Sequence, residues 1–446
     1  MSSSDITLML LGAAALLGAA HLSGELFVRA RCPRVVGEIV AGLMLGPTLL
    51  GAASPMVERA LFPSSGASAA VLGAVYQLGL VFLMFATGTT LGVIFRSGER
   101  RVAVTITVAG VLLPFLAGIL ILQLFDLSFL EGTAHNSRSL ELVFAAGIAV
   151  TSIPVISRIM MDIGIMNTSF ARIVLNAAVI EDVILYAILA VAVGLAQSAT
   201  GGFGLAAVLG ISSASVKGAA YYAITTLVVL AVALCIRPLL SGSRGVLERI
   251  GAPPVQLVGI LVITAVCLML GVTPVFGGFV AGIITSGLRG ERATEARESI
   301  TRFAFSFFIP IYFAIVGLRL DLLRRFDLVL FSGFLALACL VKSSSVYLGA
   351  RIAGEAPRTA QNLAVAMNAR GGPGIVLASV AYEAQIIDQE FYSYLVILAI
   401  VTSLFAGAWL GRVVRAGIPL RGTTLELQGA AAGAASATSR MRGGAT

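Results

Sequence analysis

Glu181 and Asp182 stand side by side in the run NAAVIEDVILYAILAV, which is otherwise apolar. A carboxylate carries a full charge and can hold either a proton or a bare monovalent cation. Neighbouring residues on a helix point about 100° apart. One acid can therefore face an ion path while the other faces a partner helix. An ionisable group at membrane depth costs several kcal/mol, so such groups are functional candidates by default. The plainer alternative is a structural pair buried in a helix bundle, an expensive use of two adjacent acids.

A third charge lies in the run LALACLVKSSSVYLGA, which carries Lys342. Of the 30 basic residues only Lys217 and Lys342 are lysines, so arginine is the default base here. Lysine can lose its proton when desolvated and arginine effectively cannot. A buried Lys342 would also neutralise one of the two acids, because unpaired buried charges are costly. A permanent salt bridge without a titrating role is the alternative. Lys217, at the end of an apolar stretch, reads as an interfacial residue.

Two further runs contain features that interrupt helices. In AAGIAVTSIPVISRI, Pro154 removes a backbone hydrogen bond and releases acceptors near Thr151 and Ser152. In AMNARGGPGIVLASV, Gly371, Gly372, Pro373 and Gly374 make a continuous helix improbable. Irregular backbone at membrane depth is tolerated where it lines a cavity or is buried in protein. Interrupted helices in corresponding positions of two halves point to a transporter with inverted repeats. Arg158 and Arg370 read as anchors of the broken segments or ligands of their carbonyl ends. Glu38 reads as a helix-terminal acid rather than an ion ligand.

The elements that must position these groups follow from composition. The chain has 446 residues, 58% hydrophobic and 12% charged, about half the charge of a soluble domain. A soluble enzyme, a disordered chain and a nucleic-acid-binding domain are excluded. Thirteen apolar stretches can cross a bilayer: about 6–29, 36–52, 70–96, 102–125, 140–162, 169–197, 217–240, 254–271, 273–288, 300–319, 327–352, 359–384 and 391–414. The break at Gly271 is the least defined, and the spans beside it can also be one bent helix. The expected fold is an all-α polytopic membrane protein of about thirteen transmembrane helices, with inverted repeats and two broken crossing helices.

Arginine clusters follow alternate spans, for example Arg29, Arg31 and Arg34, then Arg96, Arg100 and Arg101, then Arg237, Arg244 and Arg249. Acidic Glu131, Glu383, Asp388 and Glu390 occupy the opposite loops. The segment with Arg319, Arg324 and Arg325 is an exception, partly offset by Asp321 and Asp327. The positive-inside rule puts the N-terminus outside and the C-terminus in the cytoplasm, in a plasma membrane. The four cysteines are scattered without a CxxC pair, and His21 and His135 form no metal cluster. The apolar N-terminus has no basic n-region and reads as a first span rather than a cleaved signal. From Gly422 onward the chain is Gly, Ala, Ser and Thr with a few arginines, which predicts disorder. No P-loop or dinucleotide fingerprint is present, so direct ATP hydrolysis has no visible machinery.

Four segments carry a resemblance: CPRVVGEIVAGLMLGPTLLG at 32–51, LGLVFLMFATGTTLG at 78–92, AVTSIPVISRIMMDIGIMNTSFARIVLNAAVIEDV at 149–183 and ARGGPGIVLA at 369–378. Together they resemble the monovalent cation:proton antiporter-2 superfamily, which includes NapA-type sodium/proton antiporters and the membrane parts of Kef-type potassium systems. The resemblance implies a homodimer of chains with a dimerisation side and a mobile core. Residues 6–97 and 254–319 would form the dimerisation side, and 102–197 and 327–415 the two repeats of the core. Residues 217–240 would link them, and 416–446 would be a disordered cytoplasmic tail. It further implies that Asp182 is the main ligand of the cation, which makes it the metal site for Na+ or K+. Glu181 would pair with Lys342, and hydroxyls and carbonyls at Thr151 and Ser152 would complete the ion's shell.

The pair differs from the usual Asp-Asp of electrogenic members, and Gly372 stands where some relatives carry an acid. Kef-type systems often continue into a nucleotide-binding domain, for which this chain ends too soon. The expected activity is exchange of Na+ or K+ for protons by alternating access, electrogenic if a second proton rides on Glu181 or Lys342. The chain is then a carrier and not an enzyme. Its partners are a monovalent cation, protons, lipid and a second copy, with no cofactor and no nucleic acid. A sodium-coupled symporter of an organic anion and a channel-like K+ efflux protein are the rival readings.

Overall fold

In a computed structural model, the described residues are 3–30, 32–63, 65–89, 99–197, 205–209, 216–240, 252–288, 290–323 and 326–421. Arg31, Arg96, Arg244, Arg249, Arg289, Arg324, Arg325 and the segment from Gly422 onward lie outside them, as does the Lys217 side chain. The described residues are helical apart from turns and one isolated bridge between Glu131 and Ile387.

Each of the thirteen apolar stretches contains a helix or a helix pair in its described residues. Among the described residues, nine helical spans are long and apolar enough to cross a membrane, two of them (Arg34–Ala53 and Glu291–Leu318) running over a short break, and the bent pair Pro357–Ala366 and Gly371–Glu383 makes a tenth. A 27-residue helix such as Gln389–Arg415 is about 40 Å long, more than the roughly 30 Å of a hydrocarbon core. The remaining three stretches hold shorter helices: the pair Ser137–Ala149 and Ile153–Asp162, then Pro253–Met269, then Pro274–Ser286. The last two are separate helices that pack against each other on either side of Gly271, not one bent helix.

Several starts are written locally. Asn136, Asp327 and Asp388 each accept backbone N–H groups in the first turn of the helix that follows. Such caps satisfy donors that a helix start leaves unpaired.

The helices sort into two packed groups. One comprises Ser3–Arg29, Arg34–Leu45, Ala67–Thr89, Pro253–Met269, Pro274–Ser286, Glu291–Ser306 and Phe308–Leu318. The other comprises Glu99–Leu124, the pair Ser137–Ala149 and Ile153–Asp162, Ser169–Gln197, Leu328–Ile352, the pair Pro357–Ala366 and Gly371–Glu383, and Gln389–Arg415. Val216–Leu240 packs against both, touching Ser169–Gln197 and Pro274–Ser286. Within the first group, Arg34–Leu45 and Phe308–Leu318 approach so closely that a Cβ on Gly42 would strike the Ala314 carbonyl. One on Gly317 would strike the Ile39 carbonyl. Small residues at such crossings let helix backbones touch, which drives helix association where water is absent.

One expectation needs correction. The tail does not begin at 416. Leu420 is buried, its carbonyl accepts from Asn362 Nδ2 at 3.3 Å, and Arg421 pairs with Glu355 at 2.8 Å. Residues 416–421 fold back onto the second group because an apolar side chain and a paired charge hold them there. Glu38 also differs from a simple helix-terminal acid: it is buried and pairs with Arg34 at 3.1 Å.

Candidate functional site

The two broken pairs meet at their breaks. Val150 and Ser152 are extended, which ends the helix Ser137–Ala149, and Pro154 then occupies the first turn of the helix Ile153–Asp162. Proline is tolerated there because its missing N–H would be unpaired anyway. On the other side Gly371 has φ +33°, and Pro373 falls in the first turn of Gly371–Glu383. A Cβ on Gly371 would collide with Ser152 and Val155, so glycine is required by space as well as by backbone. Ser152 N donates to the Ala369 carbonyl at 2.7 Å, and Gly372 N donates to Ser152 Oγ at 3.2 Å. Thr151 Oγ1 donates to the Met367 carbonyl and lies within reach of Glu181. Both hydroxyls thus tie one break to the other.

Three successive carbonyls end the half-helix Ser137–Ala149, and each receives a cation. Arg370, fully enclosed, donates to Gly147 O at 3.2 Å and to Ile148 O at 3.0 Å. It also donates to Ala338 O at 2.9 Å and to Asn368. Lys342 takes the third carbonyl, Ala149 O. Positive charge at a helix C-terminus is favourable, and here the alternative is carbonyls buried without partners.

Lys342 does more than this. Its ammonium donates to Glu181 Oε2 at 2.9 Å and Oε1 at 3.1 Å, and to Gly110 O at 2.8 Å. Gly110 lies in Glu99–Leu124, four residues before Pro114. Proline has no N–H, so the Gly110 carbonyl has no partner in its own helix and turns to the lysine. Glu181 and Lys342 form an ion pair with no exposed surface on the lysine side chain.

Asp182 is the opposite case. It is 1% exposed, and neither of its carboxylate oxygens has a hydrogen-bond partner. Buried polar groups are almost always satisfied, so an orphaned carboxylate marks a place where a proton, a water or an ion belongs. A buried carboxylate of this kind is one full negative charge open to a proton or a small cation. Asp182 and Glu181 occupy consecutive positions of Ser169–Gln197, yet only Glu181 meets Lys342.

Arg158 stands apart from this cluster. It is exposed and lines a cavity of about 740 Å³ with Cys32, Pro33, Ser403 and Arg415. That cavity reaches the second break through Ser403, whose hydroxyl accepts from Gly371 N at 3.2 Å. A second cavity, about 940 Å³, is acidic, with Glu58, Glu131, Glu383 and Asp388 in its wall. Beside it Arg319 pairs with Glu383 at 3.0 Å and lies 4.3 Å over the Tyr76 ring.

Sequence reasoning passed over Gly110 with Pro114, Asn368, Thr402 and Ser403, and Tyr186. The first was findable, because a proline four residues after a glycine in an apolar helix exposes a carbonyl. Thr402 and Ser403 form a polar step inside an apolar span, and Tyr186 lies one turn beyond Asp182.

The family described as sodium/hydrogen exchanger, transmembrane, matches residues 12–416. The chain is 28% identical over 413 residues to the Na(+)/H(+) antiporter NhaS4 of Synechocystis sp., covering 91% of this chain and 96% of that one. It is 29% identical over 419 residues to the K(+)/H(+) antiporter 1 of Saccharomyces cerevisiae, covering 90% of this chain but 46% of the yeast protein. The chain therefore spans under half the length of that relative. The solved structure of the sodium proton antiporter MjNhaP1 from Methanocaldococcus jannaschii shares the fold, with a TM-score of 0.59 at 14% identity, over 92% of this chain and 98% of that one.

Proposed function

The chain belongs to the sodium/hydrogen exchanger family, and on that premise we propose that it exchanges Na+ or K+ for protons across a membrane at a site centred on Asp182. The observation that carries this reading is the contrast within the acid pair. Glu181 is satisfied by Lys342, whereas Asp182 is buried with both oxygens unpartnered. One carboxylate can hold a proton or a cation, so occupancy by either excludes the other. If the surrounding helices move only when Asp182 is occupied, the two ions must exchange.

The group of helices around the two breaks is the carrier in this reading. The other packed group is the fixed and dimer-forming side, and Val216–Leu240 joins them. Support comes from the placement of Glu181, Asp182, Lys342, Arg370 and both breaks in one packed group. Thr151 and Ser152 supply oxygens to the ion when it displaces their present contacts. The acidic cavity lies on the outer side and the arginine-lined cavity on the cytoplasmic side, with thirteen crossings between an outer N-terminus and an inner C-terminus. A second proton, carried on Glu181 or Lys342 besides the one on Asp182, makes the exchange electrogenic.

The organic-anion symporter and the K+ channel are not favoured, since the relatives are named as cation/proton antiporters. The test is proton movement in proteoliposomes followed with a pH-sensitive dye. Na+, K+ and Li+ are added in turn beside an Asp182→Asn control. Cation-dependent collapse of the pH gradient, absent in the control, is expected. Full activity in Asp182→Asn would remove Asp182 from the site, and no response of folded wild-type protein to any cation would reject exchange.

A further inference from the structure

We propose that the Tyr186 hydroxyl is a further ligand of the cation bound at Asp182, and that it biases the site between monovalent cations of different size. The inference rests on the exchange reading above. Tyr186 follows Asp182 by four residues in the continuous helix Ser169–Gln197. Side chains at i and i+4 share a face, with Cβ atoms about 5–6 Å apart. A tyrosine and an aspartate so placed can bring their oxygens around one small ion.

Tyr186 is 1% exposed, and its hydroxyl has no hydrogen-bond partner. Tyr76, whose ring lies under the Arg319 guanidinium, shares this feature, but other tyrosines of this interior are paired. Tyr392 donates to the Val316 carbonyl at 2.9 Å, and Tyr312 donates to Ser379 Oγ at 3.3 Å. A buried tyrosine hydroxyl normally finds a partner, because stranding it forfeits its hydration. Here three orphaned oxygens, two from Asp182 and one from Tyr186, lie on one face of one helix. They are not bonded to each other, so a third group is needed to partner both. The chemistry of that group is narrow. A carboxylate and a neutral hydroxyl oxygen together suit a dehydrated monovalent cation.

The ring is held independently of the hydroxyl. It packs against Phe279, with centroids 5.2 Å apart, and Phe279 belongs to Pro274–Ser286 in the opposite packed group. The hydroxyl therefore travels with Asp182 on its own helix, while the wall behind its ring belongs to the other group.

An ion's attraction to a neutral oxygen grows as the two approach. A smaller cation, which sits closer, loses more when that oxygen is removed. Tyr186→Phe keeps the ring and deletes only the ligand. The experiment measures half-saturating concentrations of Li+, Na+ and K+ for proton exchange in proteoliposomes. The expected result for Tyr186→Phe is a rise of roughly tenfold for the smaller ions, with a lesser rise for K+. Unchanged values, or one common factor for all three ions, would overturn the proposal.

Should Tyr186→Phe transport nothing, cation-dependent thermal stabilisation of the purified protein decides. A variant that melts like wild type without cation but has lost the Na+-dependent shift supports the ligand role, and a retained shift overturns it. Failure of the underlying reading looks different: wild-type protein would then show no exchange, or Asp182→Asn would retain it.

Discussion

Lys342 reaches three helices at once: its ammonium pairs with Glu181, donates to the Gly110 carbonyl that Pro114 deprives of a helical partner, and donates to the Ala149 carbonyl at the end of Ser137–Ala149. One cation thus satisfies an acid, a proline-exposed carbonyl and the end of a half-helix. Removing it strands all three.

Lys342→Gln should therefore lower stability by about 3–5 kcal/mol, the range for breaking a buried pair from one side. Adding Glu181→Gln removes the uncompensated charge and should recover more than half of the lost stability. Thermal melts of wild type, both single variants and the double variant, combined as a cycle, check this. Additive losses would mean that the pair is not coupled.

Arg370 should not be replaceable by lysine. Its planar fork serves Gly147, Ile148, Ala338 and Asn368 together, and one ammonium lacks that geometry. Arg370→Lys is expected to cost on the order of 2 kcal/mol, because buried carbonyls lose their donors. Exchange should fall with it. Melting temperature and dye-monitored exchange on the same preparation measure both.

Arg319 and Glu383 link the two packed groups beside the acidic cavity, with Gln77 also donating to Glu383. If the groups move relative to each other, a covalent tie at this seam stops transport. Cysteines at 319 and 383, in a chain whose four native cysteines are replaced, should arrest exchange when joined by a short thiol crosslinker. A cleavable linker should restore it on reduction. Undiminished exchange in fully crosslinked protein would reject relative movement at this seam.

Gly317→Ala should destabilise by about 1–3 kcal/mol through overpacking against the Ile39 backbone. Gly42→Ala should behave alike, and the double variant should cost less than the sum because the helices part only once. Gly18→Ala, where the added methyl meets open space, is the control and should not destabilise. Thermal melts of wild type and the four variants make the comparison.

Much of this was legible in the chain itself. Apolar runs of bilayer length specify helices because a backbone in lipid must satisfy its own hydrogen bonds. Pro154 and the cluster Gly371, Gly372 and Pro373 announce where two helices stop, since proline lacks a donor and glycine favours a turn. The acid pair and the lone membrane lysine stand out as charges in apolar surroundings. The short helices Pro253–Met269 and Pro274–Ser286 were less distinct, because composition alone does not say whether a chain bends or turns at Gly271.

Tertiary structure decided how the charges are shared. Residues 181 and 342 are 161 positions apart, and adjacency in sequence does not tell which acid meets the lysine. Only the packed helices bring Lys342 to Glu181 and leave Asp182 with unpartnered oxygens. The same holds for Arg370, two of whose carbonyl partners, Gly147 and Ile148, lie more than two hundred residues away. Their acceptors are backbone atoms, identical in every residue. What distinguishes them is that a helix ends there and another element supplies the missing donor, and that is a property of the assembled fold.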